Sequence, residues 1–167
     1  MQLKLQKILV IDTSSLIALE RVGILSKLTH LSFQITIPKI VSLEFGKIGL
    51  ENVKIESLRG RSAKKANSIA ITGFGKGEAE CLVLANKLKT GFIICDDRKL
   101  LRQKYLLEDK ILEEIEIAGF SFILHLLLKK GQLNGIWDVF NAIVEKNNWK
   151  GSEVEAANFV FLKEIGY

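Results

Sequence analysis

The chain is short of the residues that staple, stiffen or anchor a protein. It has two cysteines and one proline among 167 residues. Cys81 lies in Glu80-Cys81-Leu82-Val83-Leu84 and Cys95 in Phe92-Ile93-Ile94-Cys95. Both segments are apolar, so the two read as buried, reduced thiols rather than as a disulfide framework. Two cysteines and two unclustered histidines cannot build a zinc site. One proline and 13 glycines exclude collagen-like or proline-rich linker character. Long apolar runs are missing as well. The longest, Phe120 to Leu128, is broken by Ser121 and His125 and falls well below the ~18 residues of a membrane span. Lys4 and Lys7 precede an apolar run of only Ile8 to Ile11, too short for a signal-peptide core. A cytoplasmic protein without a membrane partner is the expectation.

What is present is ordinary globular material, 48% hydrophobic and 26% charged. A chain of this length buries about 68–70% of its extended-state surface and folds as one domain without staples. The formal charge of +5 permits a polyanionic partner.

Two kinds of segment alternate. Ile8 to Ile11 is a continuous, β-branched apolar run and reads as a buried parallel strand. Ser14 to Glu20 and Val22 to Leu31 carry apolar residues in helical register. Phe33 to Ile37 alternates with period two, and Pro38 suits the first position of a helix running to Phe45. Between Gly46 and Gly77 the pattern weakens: Val53 to Glu56 reads as an edge strand and Arg59 to Ser68 as a basic helix. Gly73, Gly75 and Gly77 read as a mobile connection. A central helix is predicted over Glu78 to Leu88, a strand over Phe92 to Cys95, a helix over Arg98 to Leu107 and a strand near Ile115 to Ile117. Three more helices, about 121–130, 135–147 and 152–164, complete the chain. Alternation of this kind predicts an α/β domain with a parallel sheet.

The acidic residues fall at telling places. Asp12 directly follows the first apolar strand and Asp96-Asp97 another. Ligands of open parallel sheets bind beyond the carboxyl ends of the strands. Glu44 interrupts an apolar helix turn, and Glu78 and Glu80 open the central helix. Each has a plainer reading. Asp12 and one of Asp96/Asp97 could cap the helices that follow them. Glu78 could complement its helix dipole, and Glu44 could sit on a solvated face. Glu80 lies about 200° around the helix from Glu78 and reads as a supporting residue. Capping alone leaves unexplained why both best strands end in aspartate while the most apolar helix opens with glutamate. Carboxylates gathered at one rim would protonate or hold a cation. An all-oxygen donor set suits Mg²⁺ or Mn²⁺.

These segments resemble the motifs of PIN domains, metal-dependent ribonucleases that include the VapC toxins. The opening motif is matched by Ile8-Leu9-Val10-Ile11-Asp12-Thr13-Ser14-Ser15-Leu16-Ile17, and the second by Ile37-Pro38 with Val41-Ser42-Leu43-Glu44. Gly77-Glu78-Ala79-Glu80-Cys81-Leu82-Val83-Leu84-Ala85 and Ile93-Ile94-Cys95-Asp96-Asp97-Arg98 look like the other two. The Gly-Glu-Ala-Glu form is similar to a branch described as predicted nucleic-acid-binding PIN proteins. Gly119 through Gly131 resembles a helical segment of that branch. The resemblance implies a three-layer α/β/α fold with a parallel sheet of four to five strands over residues 1–131. Helices over 132–167 would pack on that same domain. It implies RNA phosphodiester hydrolysis assisted by Mg²⁺ or Mn²⁺ on Asp12, Glu44, Glu78 and Asp97. Asp96 would be an assisting ligand, Ser14 would orient Asp12, and Glu80 would support. An antitoxin protein and a homodimer are the further partners that it suggests. Two departures stand out, the ill-matched segment between Gly46 and Gly77 and Phe120 in place of a small hydroxyl residue.

Two rivals share the same residues. Gly73-Phe74-Gly75-Lys76-Gly77 after Ile69-Ala70-Ile71 resembles a dinucleotide-binding fingerprint, but its third glycine comes one position early. Glu78 and Glu80 would also crowd the helix end where a pyrophosphate sits. Alternatively, the domain only binds RNA or a protein. Lys54, Arg59, Arg61, Lys64, Lys65, Arg98, Arg102 and Lys104 could follow a phosphate backbone, although such residues commonly just solvate a surface. No aromatic residues interleave with them to form a stacking platform. His125, in an apolar helix, reads as structural.

Overall fold

Apolar, β-branched runs pair into one parallel sheet because strands buried on both faces need such side chains throughout. A computed structural model describes residues 7–46, 49, 52–103 and 114–167. The strands are β1 (Lys7–Ile11), β2 (Phe33–Pro38), β3 (Val53–Glu56), β4 (Phe92–Ile94) and β5 (Glu116–Ala118). They form a five-stranded sheet in the order β3-β2-β1-β4-β5, parallel at every pairing. Leu9, Val10, Ile11, Ile35, Ile37, Ile93 and Ile94 are all fully buried in it.

The helices are α1 (Thr13–Arg21), α2 (Lys39–Phe45), α3 (Gly60–Ile71), α4 (Lys76–Leu88), α5 (Arg98–Gln103), α6 (Phe120–Lys129), α7 (Ile136–Lys146) and α8 (Glu153–Glu164). They flank the sheet in a three-layer α/β/α arrangement. α4 packs against β1, β2 and β4 and is covered by α3. Its Ala79, Cys81, Leu82, Leu84 and Ala85 are fully buried, so the helix predicted to be central is so. α1 contacts α6 and α7, and α8 packs on α6. The C-terminal helices therefore add to the same core. Phe120 stacks on Trp149 with centroids 5.8 Å apart, and Trp137 meets Phe140 edge-on at 5.6 Å.

Several boundaries differ from the sequence pattern. The helix expected over Val22 to Leu31 is a 3-10 segment, Leu25–His30, because Gly23 takes φ +73° and ends α1. Pro38 closes β2 opposite Glu56 and caps α2 from outside with ψ 153°. Extended ψ fits the strand, and the absent N–H costs nothing at its end. α3 starts at Gly60 and runs on to Ile71. Ile69-Ala70-Ile71 is thus helical, and the strand–glycine loop–helix that a dinucleotide site requires is not formed. Gly77 lies inside α4, which begins at Lys76 with Gly75 as its cap, so the glycine-marked connection is shorter than predicted. The expected end of α5 at Leu107, and Lys104 with it, lie outside the described residues.

Candidate active site

The strand order places a crevice where the acids are. From β1 the sheet extends one way through β2 and the other way through β4. In open α/β sheets such a switch point, at the carboxyl ends of the strands, is where ligands bind. Asp12 leaves β1 and donates its backbone N–H to Ile94 O at 3.0 Å, which keeps the ends of β1 and β4 together. A cavity of about 320 Å³ opens at this point, lined by Asp12, Thr13, Ser14, Glu44, Lys76 and Glu78 among others.

Asp12 is buried, with 3% exposure, and does two things at once. Its Oδ1 accepts Ser15 N–H at 2.9 Å and so caps α1. Its Oδ2 accepts the Ser14 hydroxyl at 2.6 Å and the Cys95 thiol at 3.3 Å. Burial pushes the carboxyl above its ordinary value, and these hydrogen bonds only partly offset that. Burial pushes the Cys81 and Cys95 thiols well up, and the Asp12 charge adds to it. Neither is a thiolate, and both remain structural.

Glu44, exposed on α2, accepts the Thr13 hydroxyl at 2.5 Å. Glu78 is half-buried in the first turn of α4. Burial raises its pKa, and the neighbouring Asp97 and Asp12 charges raise it further, through a direct hydrogen-bond contact in the case of Asp97. An N–H of its own backbone holds the carboxylate back against the helix end and lowers the value. Two glycines make room for this packing. A Cβ on Gly75 would lie 1.8 Å from Glu78 Oε2, and one on Gly77 would lie 3.0 Å from Glu44 Oε2. Glu80 sits behind. Its pKa is raised by burial, lowered by Lys76, raised by Glu44 and lowered by the Ile40 N–H. By accepting from Ile40 it caps α2, which has no side-chain cap of its own. That anchors the helix carrying Glu44.

The aspartate pair divides. Asp97 is half-buried, accepts Lys99 N–H at 2.7 Å and reaches Glu78. Asp96 turns inward, with 2% exposure. Its Oδ1 accepts Phe120 N–H at 3.1 Å and Asn158 Nδ2 at 2.9 Å, and its Oδ2 accepts the Ser15 hydroxyl at 2.8 Å. Burial and the Asp12 charge raise it to about 6.

Asp12, Ser14, Glu44 and Glu78 therefore share one cleft, with Asp97 against Glu78, Glu80 behind and Asp96 beneath. The basic candidates lie elsewhere. Lys54 pairs with Glu56 on β3 at 2.7 Å, Arg59 precedes α3, and Arg61, Lys64 and Lys65 lie on it. Arg98 opens α5, and Arg102 pairs with Glu153 of α8. Among the described residues lining the cleft the cation is Lys76, which sequence reasoning passed over, as it did Thr13, Ser15, Gly119 and Asn158. The hydroxyl run Thr13-Ser14-Ser15 beside Asp12 is the one local signal for two of these. Asn158 lies 62 residues from Asp96 and has none.

The donor chemistry fits a hard divalent cation, since every acidic group at the rim offers oxygen alone. The arrangement is open. Among the described residues, no three His, Cys, Asp or Glu side chains are grouped closely enough to share an ion. No described helix is long and apolar enough to cross a membrane. A family model for the PIN domain matches residues 8–163. No curated protein and no solved structure matches the chain.

Proposed function

The chain belongs to the PIN-domain family, whose fold is of nuclease type, and from this premise we propose that its acidic cleft is the active centre of a divalent-metal-dependent endoribonuclease. The observation that carries the reading is the contact of Glu78 with Asp97 beside the charge of Asp12, at the switch point of the sheet. Carboxylates forced together below a solvent-open cavity repel one another, and a cation is the ordinary remedy. Asp12, Glu44, Glu78 and Asp97 would hold Mg²⁺ or Mn²⁺ by drawing in around it from their open arrangement. Such an ion supplies a bound water of lowered pKa and neutralises charge on the phosphoryl group.

The chain's own groups have separate tasks. Ser14 and the Ser15 N–H fix both oxygens of Asp12, so that its position costs no reorganisation. Thr13 holds Glu44 at the rim. Glu44 and Glu78 line the cavity beside Asp12. Lys76 is placed to attract a phosphate to a site that is otherwise negative. The net charge of +5 favours RNA approach by the same physics.

The test is cleavage of single-stranded RNA with Mn²⁺, with EDTA present, and by Asp12→Asn. Activity lost under both perturbations supports the proposal, and activity surviving both refutes it. A second reading rests on the protein donors that already satisfy Asp12. It is a domain that binds RNA without cutting it, and metal-independent RNA binding with no cleavage would favour it.

A further inference from the structure

We propose that Asn158, on the last helix, is a positioning residue for the site, acting through Asp96 and Ser15 on Asp12. This rests on the nuclease reading above for its functional consequence, but its structural content stands alone.

The hydrogen bonds form an unbroken path. Asn158 Nδ2 donates to Asp96 Oδ1 at 2.9 Å, and the Ser15 hydroxyl donates to Asp96 Oδ2 at 2.8 Å. The Ser15 backbone N–H donates to Asp12 Oδ1 at 2.9 Å. Every member is buried: Ser15 at 0%, Asp96 and Asn158 at 2%, Asp12 at 3% exposure. None of these bonds can be exchanged for water without opening the core.

Asn158 has little freedom to do anything else. Its Nδ2 also donates to Val154 O at 2.9 Å, and its Oδ1 accepts Ser121 N–H at 3.0 Å. The α6 terminus explains why a residue from another helix is needed. Gly119, its N-cap, offers no side chain, leaving the first N–H groups to find acceptors elsewhere. Phe120 N–H goes to Asp96 and Ser121 N–H to Asn158. Gly119 is bare for a steric reason, since a Cβ there would lie 2.3 Å from Asn158 Oδ1 and 2.7 Å from Asp96 Oδ1. Asp96 therefore joins the α6 end, α8 and the first turn of α1. Its neighbour Asp97 leaves β4 on the same turn of chain and meets Glu78. One buried side chain from the C-terminal helix thus sets both the α1 turn that caps with Asp12 and the exit of β4.

Amide hydrogen exchange at Ser15 and RNA cleavage test this in the full chain. Leu162→Ala is the control, because Leu162 is fully buried on the same helix and has no part in the path. Relative to that control, Asn158→Ala is expected to speed Ser15 amide exchange by about 10-fold or more. It is also expected to lower kcat by about 10- to 100-fold with KM unchanged, the usual scale for loss of an outer positioning contact. Should Asn158→Ala not fold, Ser15→Ala cuts the path at its centre and must free the residue-15 amide in the same way. Exchange and kcat indistinguishable from Leu162→Ala would overturn the relay and leave the nuclease reading intact. A freed Ser15 amide in a protein whose wild type cleaves no RNA would uphold the relay and overturn the nuclease reading.

Discussion

Asp96 offers the sharpest stability prediction, because it is an ionisable group that the fold buries and yet serves with hydrogen bonds. Burial, then the nearby Asp12 charge, raise its pKa from 3.8 to about 6, while donors from Asn158, Ser15 and Phe120 pull it down. The folded state therefore binds a proton more tightly than the unfolded chain. Below about pH 4 both states hold that proton and nothing is lost. As pH rises, the unfolded chain ionises first, and the stability associated with neutral Asp96 declines until about pH 6, where the folded state has ionised too. The full difference is about 3 kcal/mol. Asp96→Asn removes the charge and can keep every bond. Its carbonyl oxygen accepts from Phe120 and Asn158, and its amide donates to Ser15, whose hydroxyl then turns toward Asp12. Thermal unfolding followed by circular dichroism across this pH range reads the effect. The wild type and the variant should melt together below about pH 4 and separate above about pH 7, with the variant higher by about 6–12 °C. A variant that melts lower than the wild type at neutral pH would show the opposite, that the three donors outweigh desolvation.

Other consequences are simpler to state. Asp12→Asn and Asp97→Asn should each cut RNA cleavage by about 10²-fold or more, the scale on which a lost charge-stabilising group is felt, with far-UV circular dichroism unchanged. Gly75→Ala should move function without moving the fold. Its φ of −65° suits alanine, but the new Cβ evicts the Glu78 carboxylate, so half-maximal activity should need several-fold more Mn²⁺, read from a metal titration of the cleavage rate. Phe120→Ala, which empties the contact with Trp149 and Phe140, should cost about 3–5 kcal/mol in urea unfolding. Arg102→Ala removes an exposed ion pair with Glu153 and should change stability by less than about 1 kcal/mol.

The strands and the acidic rim were legible because their signals are local. A run such as Ile8 to Ile11 needs both faces buried, and an aspartate after it marks the carboxyl edge. Glu44 could be placed because it breaks an apolar helix turn. Where sequence reasoning strayed, the deciding force was a backbone or long-range one. Gly23 at positive φ reshaped the segment after α1. Ile69-Ala70-Ile71 looks like a strand by composition, yet it continues α3 as packing on α4 requires. Asn158 and Gly119 act through contacts with residues distant in sequence, which no spacing rule reveals. The resemblance favours Asp97 over Asp96 as the ligand, and Asp97 does face Glu78, but the chain gives no hint that Asp96 turns inward to the α6 end, Ser15 and Asn158.

On the reading proposed here, one acidic cleft binds a divalent ion for catalysis. Mn²⁺ binding measured by electron paramagnetic resonance, on the wild type, Asp12→Asn and Glu78→Gln, tests it most directly. Saturable binding to the wild type is expected, with a loss of about 10-fold or more in affinity for each variant. Binding equally strong in all three, or none to the wild type, would contradict it.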